Sequence, residues 1–211
     1  MSFINHLSDV TSLRNQYCAV RHGESEANVA HLISSNPQIG NEIHGLSPNG
    51  RIQVVENTKS FLQNHSFNNS YIIISSDFRR ARETAEILAS NLPDSIENKP
   101  NIQLDSRLRE RFFGIYDGTS DDNYPLIWKT DVDNPMKNIT DQVEPVESVR
   151  ERTTALIKEL EEKYENQTIF LVSHGDSLQI LQTAFQRLPN ANEQRYLKHL
   201  ERAEFRPLIL K

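Results

Sequence analysis

Three tetrapeptides stand out along the chain: YCAV at 17–20, YIII at 71–74 and IFLV at 169–172. Apolar runs this short, bounded by polar residues, predict buried strands over 16–20, 71–75 and 168–172. A weaker run predicts an edge strand over 102–104, and the tail at 204–210 reads as a last strand. Between these runs, apolar residues recur at helical spacing. Ser47 followed by Pro48 has the form of an N-cap and a first helical position, opening a helix to about residue 64 with Ile52, Val55, Phe61 and Leu62 on one face. Ala81, Ala85 and Leu88 place a helix over 77–91. Ser148 and Glu151 read as a capping box for a helix to about residue 165, with Val149, Leu156, Ile157, Leu160 and Tyr164 turned inward. A further helix is expected over 176–187. Strands alternating with helices predict an α/β fold, a three-layer α/β/α sandwich around a mostly parallel sheet.

Residues 112–146 break this rhythm. Between Ile115 and Val146 there are seven acids and two lysines, with many turn residues and few apolar runs. The segment is expected to form a lid-like insertion or substrate wall over the sheet edge; length alone also allows a solvated loop with one helix near Trp128. With no repeat or linker, the 211 residues predict a single domain over 1–211. A net charge of −6 offers no general basic field for nucleic acid or an anionic membrane surface. Apolar runs of four fall far short of the ~20 residues that span a bilayer. The first residues lack the charged and apolar regions of a secretory signal. The single cysteine, Cys18, sits inside an apolar run and is expected to be a buried thiol in a cytoplasmic protein.

The chemistry lies where the strands end. The first runs into Arg21-His22-Gly23, the second into SSDFRRARETAE with Arg79, Arg80 and Arg82, and the third into Ser173-His174-Gly175-Asp176. Ligands of open α/β sheets bind beyond the carboxyl ends of the strands, beside helix N-termini. Parallel pairing would bring His22, Arg79 or Arg80, and His174 to one edge. Two imidazoles and at least two guanidinium groups there suit a dianionic oxyanion, best a phosphoryl group. Each piece alone has a plainer reading: a loop, a solvated helix face pairing with Glu83 and Glu86, an ordinary histidine. His6, His31, His44, His65 and His199 are read as surface residues. Metal-ligand spacings are absent and arginines would repel an ion, so neither metal nor cofactor is expected.

With these residues in hand, the chain resembles the histidine phosphatase superfamily, in its phosphoglycerate mutase-like branch (branch 1). VRHGESEAN at 20–28, GLSPNG at 45–50, SSDFRRARETAE at 75–86, LRERFFG at 108–114 and SHGDSL at 173–178 follow that family's motifs in order. The resemblance implies that His22 is the phosphorylated nucleophile and that Arg80, not Arg79, is the functional arginine. It further implies that Arg21, Arg80 and His174 hold the phosphoryl oxygens with help from Asn28, and that Glu110 is the general acid and base. The chain departs from the family between Asn28 and Gly45, where VAHLISSNPQIGNEIH is longer and different, so no substrate is carried over.

The residues suit such a reaction. Arg21, Arg80 and, if protonated, His174 would keep His22 neutral and nucleophilic. A carbonyl at the Gly23 turn would fix its tautomer. The expected activity is hydrolysis of a small phosphate monoester through phospho-His22. A mutase is the alternative within the family, disfavoured because only residues 178–211 follow the second-histidine motif and they end in an apparent strand rather than a mobile closing tail. A non-catalytic phospho-ligand-binding module is the alternative outside it. A monophosphate is expected over a polyphosphate, although Arg111 or Lys129 could reach a second phosphate. Phe112, Phe113, Tyr116, Tyr124 and Trp128 are candidates for an apolar wall. Oligomeric state is not legible.

Overall fold

The computed structural model describes residues 3–65, 70–92 and 100–211. Its strands are β1 (Gln16–Arg21), β2 (Tyr71–Ser75), β3 (Ile102–Leu104), β4 (Thr168–Ser173) and β5 (Phe205–Leu208). Its α-helices are α1 (Glu26–Val29), α2 (Pro37–Gly40), α3 (Pro48–Asn64), α4 (Arg79–Ser90), α5 (Tyr124–Asp133), α6 (Pro135–Thr140), α7 (Val146–Lys163) and α8 (Gly175–Phe185). The sheet order is β3-β2-β4-β1-β5, parallel throughout except for β5, which returns antiparallel along β1.

The short apolar runs are continuous because both faces of the sheet are covered. Tyr17, Ala19, Ile74, Ile169 and Leu171 pack with Leu156, Ile157 and Leu160 of α7 and with Leu178, Leu181 and Phe185 of α8. The alternate residues Cys18, Val20, Ile73, Phe170 and Val172 pack with Phe61 of α3 and with Ala81, Ala85 and Leu88 of α4. Cys18 is a buried free thiol. This is the expected three-layer α/β arrangement.

Two helix details differ from expectation. In α3 the buried positions are Gly50, Val54, Thr58 and Phe61, while Ile52 is 56% exposed. The cause lies at Gly50, where a Cβ would stand 2.0 Å from the Glu24 carbonyl oxygen. That backbone approach sets the rotation of α3, and positions 54, 58 and 61 follow at helical spacing. Ser47 does cap α3, accepting from Gly50 N at 2.9 Å. Ser148, by contrast, is no cap. Helix α7 begins three residues earlier than a Ser148 cap would start it, after Pro145, which has no side-chain cap bond; Ser148 Oγ lies 3.4 Å from Glu144, and Glu151 accepts from Ile4 N instead.

The insertion at 112–146 is more ordered than a loop with one helix. It contains α5 and α6 and a small core of Phe113, Ile127 and Val143 packed on Ile33. Its anchor is Arg111, fully buried, which donates to both carboxylate oxygens of Asp131 at 2.7 and 2.6 Å and to the Glu144 carbonyl at 2.7 Å. Replacing Arg111 with leucine leaves the Asp131 carboxylate buried beside Asn138 alone. Loss of one partner of a buried pair costs roughly 3–5 kcal/mol, so thermal unfolding of Arg111→Leu is expected to fall by about 6–20 °C. An unchanged melting curve would show that the pair does not hold the insertion.

Candidate active site

The register of the sheet brings the site together. Val20 of β1 and Ser75 of β2 are both level with Val172 of β4. The residues just past these ends, His22, Ser76 and His174, therefore meet. His22 N donates to Ser173 O at 3.0 Å and Ser76 N to Val172 O at 2.9 Å. The rings of His22 and His174 stand edge to face, 5.1 Å between centroids.

His22 is held in one orientation. Its Nδ1 donates to its neighbour's carbonyl, Gly23 O, at 2.7 Å, which leaves the Nε2 lone pair outward. Gly23 itself is pressed against α3, where a Cβ would lie 2.6 Å from Gly50 O. Arg80 Nε donates to His22 Nε2 at 3.1 Å. Burial first, then Arg80 and Arg21, push the His22 pKa well below its ordinary value, so the ring is neutral at neutral pH.

Arg80 lies in the first turn of α4, buried, with its Nη2 on Ser34 O at 2.9 Å. Burial brings its pKa down to about 10, which still leaves it a cation at neutral pH. Arg79, one residue earlier, turns away and pairs with Glu83 at 3.0 Å. Arg21 donates Nη1 to Leu200 O at 2.6 Å and contacts His199 Nε2 at 2.8 Å. Asn28 lines the same pocket; its Oδ1 accepts from Ser25 N and Oγ, leaving the amide NH2 as the group it can offer.

His174 differs from one part of the expectation. It is fully buried, packed edge-on against His22 and Phe78, and bonded through Nε2 to Ser76 Oγ at 2.9 Å. Its Nδ1 has no partner. Burial, then Arg80 and His22, lower its pKa well below the ordinary value, so it is not the additional cation that a protonated ring would supply.

Glu110 is placed by the turn that leaves β3. Leu108 O accepts from Ser173 Oγ at 2.6 Å and Arg109 O from Ser177 Oγ at 2.7 Å, which ties the turn to β4 and α8. Glu110 Oε1 accepts from Arg111 N at 2.9 Å and Ser177 N at 3.2 Å. Burial and the neighbouring Asp176 raise its pKa, against Arg80 and Arg21. Asp176 is held low despite burial by Arg195 and Arg111.

Arg21, His22, Asn28, Arg80 and Glu110 share one pocket of about 190 Å³. Several other walls were not anticipated. Arg111 and Lys129 are not among them: Arg111 is bound to Asp131, and Lys129 is an exposed partner of Asp133. Ser34, from the segment that departs from the family, lines the pocket, and so do His199 and Arg202 from the stretch before β5. His199, read as a surface residue, rests on Arg21 instead. No local signal marks it: its place follows from β5 running antiparallel along β1, which carries the preceding chain across the end of β1, where Ala203 N donates to His22 O at 3.1 Å. Of the expected apolar wall, Phe113, Tyr124 and Trp128 line the pocket and Phe112 and Tyr116 do not; Asp121 of the insertion joins them. Among the described residues no three His, Cys, Asp or Glu side chains form a metal-binding group, and no helix is long and apolar enough to cross a membrane.

Comparison with known proteins supplies the family and the fold. The uncharacterized phosphatase PhoE of Bacillus subtilis (strain 168) is 27% identical over 166 residues, 79% of this chain and 75% of its own. Among solved structures, Bacillus stearothermophilus YhfR superposes with a TM-score of 0.73 at 22% identity, covering 90% of this chain and 89% of its own. A mycobacterial glucosyl-3-phosphoglycerate phosphatase gives 0.66 at 22% identity, covering 90% and 88%. The model of the histidine phosphatase superfamily (branch 1) matches residues 17–204, and the chain belongs to that superfamily.

Proposed function

We propose that the protein is a phosphatase that hydrolyses a small-molecule phosphate monoester in two steps, through a phosphohistidine on His22. The observation that carries this reading is the state of His22: a neutral ring, fixed at Nδ1 by Gly23 O, with Nε2 facing the buried Arg80 guanidinium. An incoming dianion would draw Arg80 from Nε2 onto a phosphoryl oxygen, freeing the lone pair for attack. Arg21 and the Asn28 amide take further oxygens, and charge neutralisation of this kind is the main requirement of phosphoryl transfer. His174 contributes as a neutral donor. Ser76 Oγ accepts from Phe78 N and gives its own proton to His174 Nε2, which leaves Nδ1–H for a phosphoryl oxygen. Such a contact satisfies a buried donor that has no partner in the protein. Glu110 protonates the departing alcohol and then deprotonates the water that attacks phosphohistidine.

The names of the related proteins, PhoE and the glucosyl-3-phosphoglycerate phosphatase, support hydrolysis over transfer. The pocket favours a small, singly phosphorylated substrate. Its 190 Å³ is below the roughly 300–1,000 Å³ of pockets for drug-sized ligands. Beyond the phosphoryl cations the pocket offers Arg202, which Glu24 already holds at 3.3 Å. Purified protein is expected to release phosphate from 4-nitrophenyl phosphate and from a subset of phosphorylated metabolites, and vanadate should inhibit both. Isomerisation of 3-phosphoglycerate without phosphate release would establish the mutase instead; binding without any turnover would establish a non-catalytic module.

A further inference from the structure

We infer that Tyr124 is a catalytic residue whose hydroxyl donates a hydrogen bond to the departing alcohol oxygen beside Glu110. The inference rests on the phosphatase reading above. Tyr124 opens α5 of the insertion and lines the pocket with His22, Arg80 and Glu110. Its ring is clamped. Phe113 packs edge-on at 5.1 Å, and Trp128 stacks at 5.2 Å with 14° between planes. Trp128 is fixed in turn by its Nε1–H on Asp176 at 3.2 Å and by the Arg195 guanidinium, 3.9 Å over its ring. An aromatic so held keeps its hydroxyl in one place without reorganisation during the reaction.

That hydroxyl has no structural duty. Tyr17, Tyr116 and Tyr164 hydrogen-bond to Glu161, Asp141 and Gln103, whereas the Tyr124 hydroxyl has no hydrogen-bond partner among the described residues. Burial, then Glu110 and Asp176, push its pKa upward against Arg80 and Arg21. It is therefore a neutral O–H donor at every working pH, within the field of the acid and both arginines. In the first step the His22 Nε2 lone pair forms the P–N bond and the P–O ester bond breaks. Its electron pair stays on the alcohol oxygen, which takes the Glu110 proton. Tyr124 keeps its own proton and stabilises the negative charge that builds before that transfer is complete.

Tyr124→Phe retains the ring and its packing, so its melting temperature should match the wild type. Removing one preorganised donor to a developing oxyanion costs about 10²–10³-fold in favourable cases. With Glu110 serving the same oxygen, we expect kcat/KM for alkyl phosphates to fall about 10–10²-fold. For 4-nitrophenyl phosphate, whose leaving group is already stable, the loss should stay below about threefold, and the pH dependence due to Glu110 should persist. Equal losses for both esters, or none, would overturn the inference while leaving the phosphatase intact. A wild-type protein that releases no phosphate from either ester would remove the phosphatase reading first, and this assignment with it.

Discussion

Protein quenched during turnover of a phosphate monoester labelled in its phosphoryl group should retain label in a bond that acid cleaves and alkali spares. His22→Ala should retain none, and its kcat should fall by about 10⁴-fold or more, since loss of a covalent nucleophile disables the whole route. Water cannot take the ring's place easily. The cations are arranged around an imidazole nitrogen whose other nitrogen is tied to Gly23 O, and a water there has no equivalent anchor. The substitution also frees Arg80 Nε from its contact with the ring. His22→Gln, which refills part of the space with a polar side chain, separates loss of chemistry from loss of packing: both variants should lose label, and the glutamine variant should melt closer to the wild type. Label undiminished in His22→Ala, or recovered on His174, would refute the assignment of the nucleophile.

The neighbourhood of His22 was legible because it depends on strand ends. Alternation in YCAV and IFLV fixes which residues face each helical layer, and parallel pairing puts the residues after the runs at one edge. Arg80 needed more than the pattern: Arg79 and Arg80 are adjacent in one turn, and only the family motif separated them. Glu110 was invisible to composition, because its buried position comes from backbone N–H groups of Arg111 and Ser177 that hold it near Asp176. The insertion was the least readable part. Its fold is fixed by Arg111, whose buried pairing with Asp131 across twenty residues leaves no local periodic trace. The same holds for the rotation of α3, set by a glycine meeting a distant carbonyl rather than by the apolar side chains a periodicity argument counts. Arg202 and His199 follow from the course of the chain before β5, which a local reading of residues 198–204 does not contain.

Glu110→Gln should lower kcat/KM for alkyl phosphates by about 10²–10⁴-fold, the usual worth of a positioned acid–base group, with much less effect on kcat/KM for 4-nitrophenyl phosphate. The substitution is close to isosteric. The amide oxygen can still accept from Arg111 N and Ser177 N, so position is kept and only the exchangeable proton is lost. An alkoxide leaves poorly without that proton; 4-nitrophenolate does not need it. The second step needs the ionised carboxylate for either substrate, so the variant should show a burst of 4-nitrophenolate followed by slow turnover as phosphoenzyme accumulates. The pH profile gives an independent reading. Burial and Asp176 raise the Glu110 pKa above its ordinary value, and the acid form is present below that pKa and lost above it. For alkyl phosphates, wild-type kcat/KM should therefore decline as pH rises through the raised value. On the acid side the lowered His22 pKa keeps the nucleophile neutral well below the ordinary imidazole range, so loss from its protonation comes only at still lower pH. The second ionisation of the substrate phosphate, at roughly pH 6, is common to both proteins, and the difference between their profiles isolates Glu110. Equal slowing of alkyl and aryl esters in kcat/KM, with the alkaline decline intact in the variant, would take Glu110 out of the acid role and leave the proton to another group in the pocket.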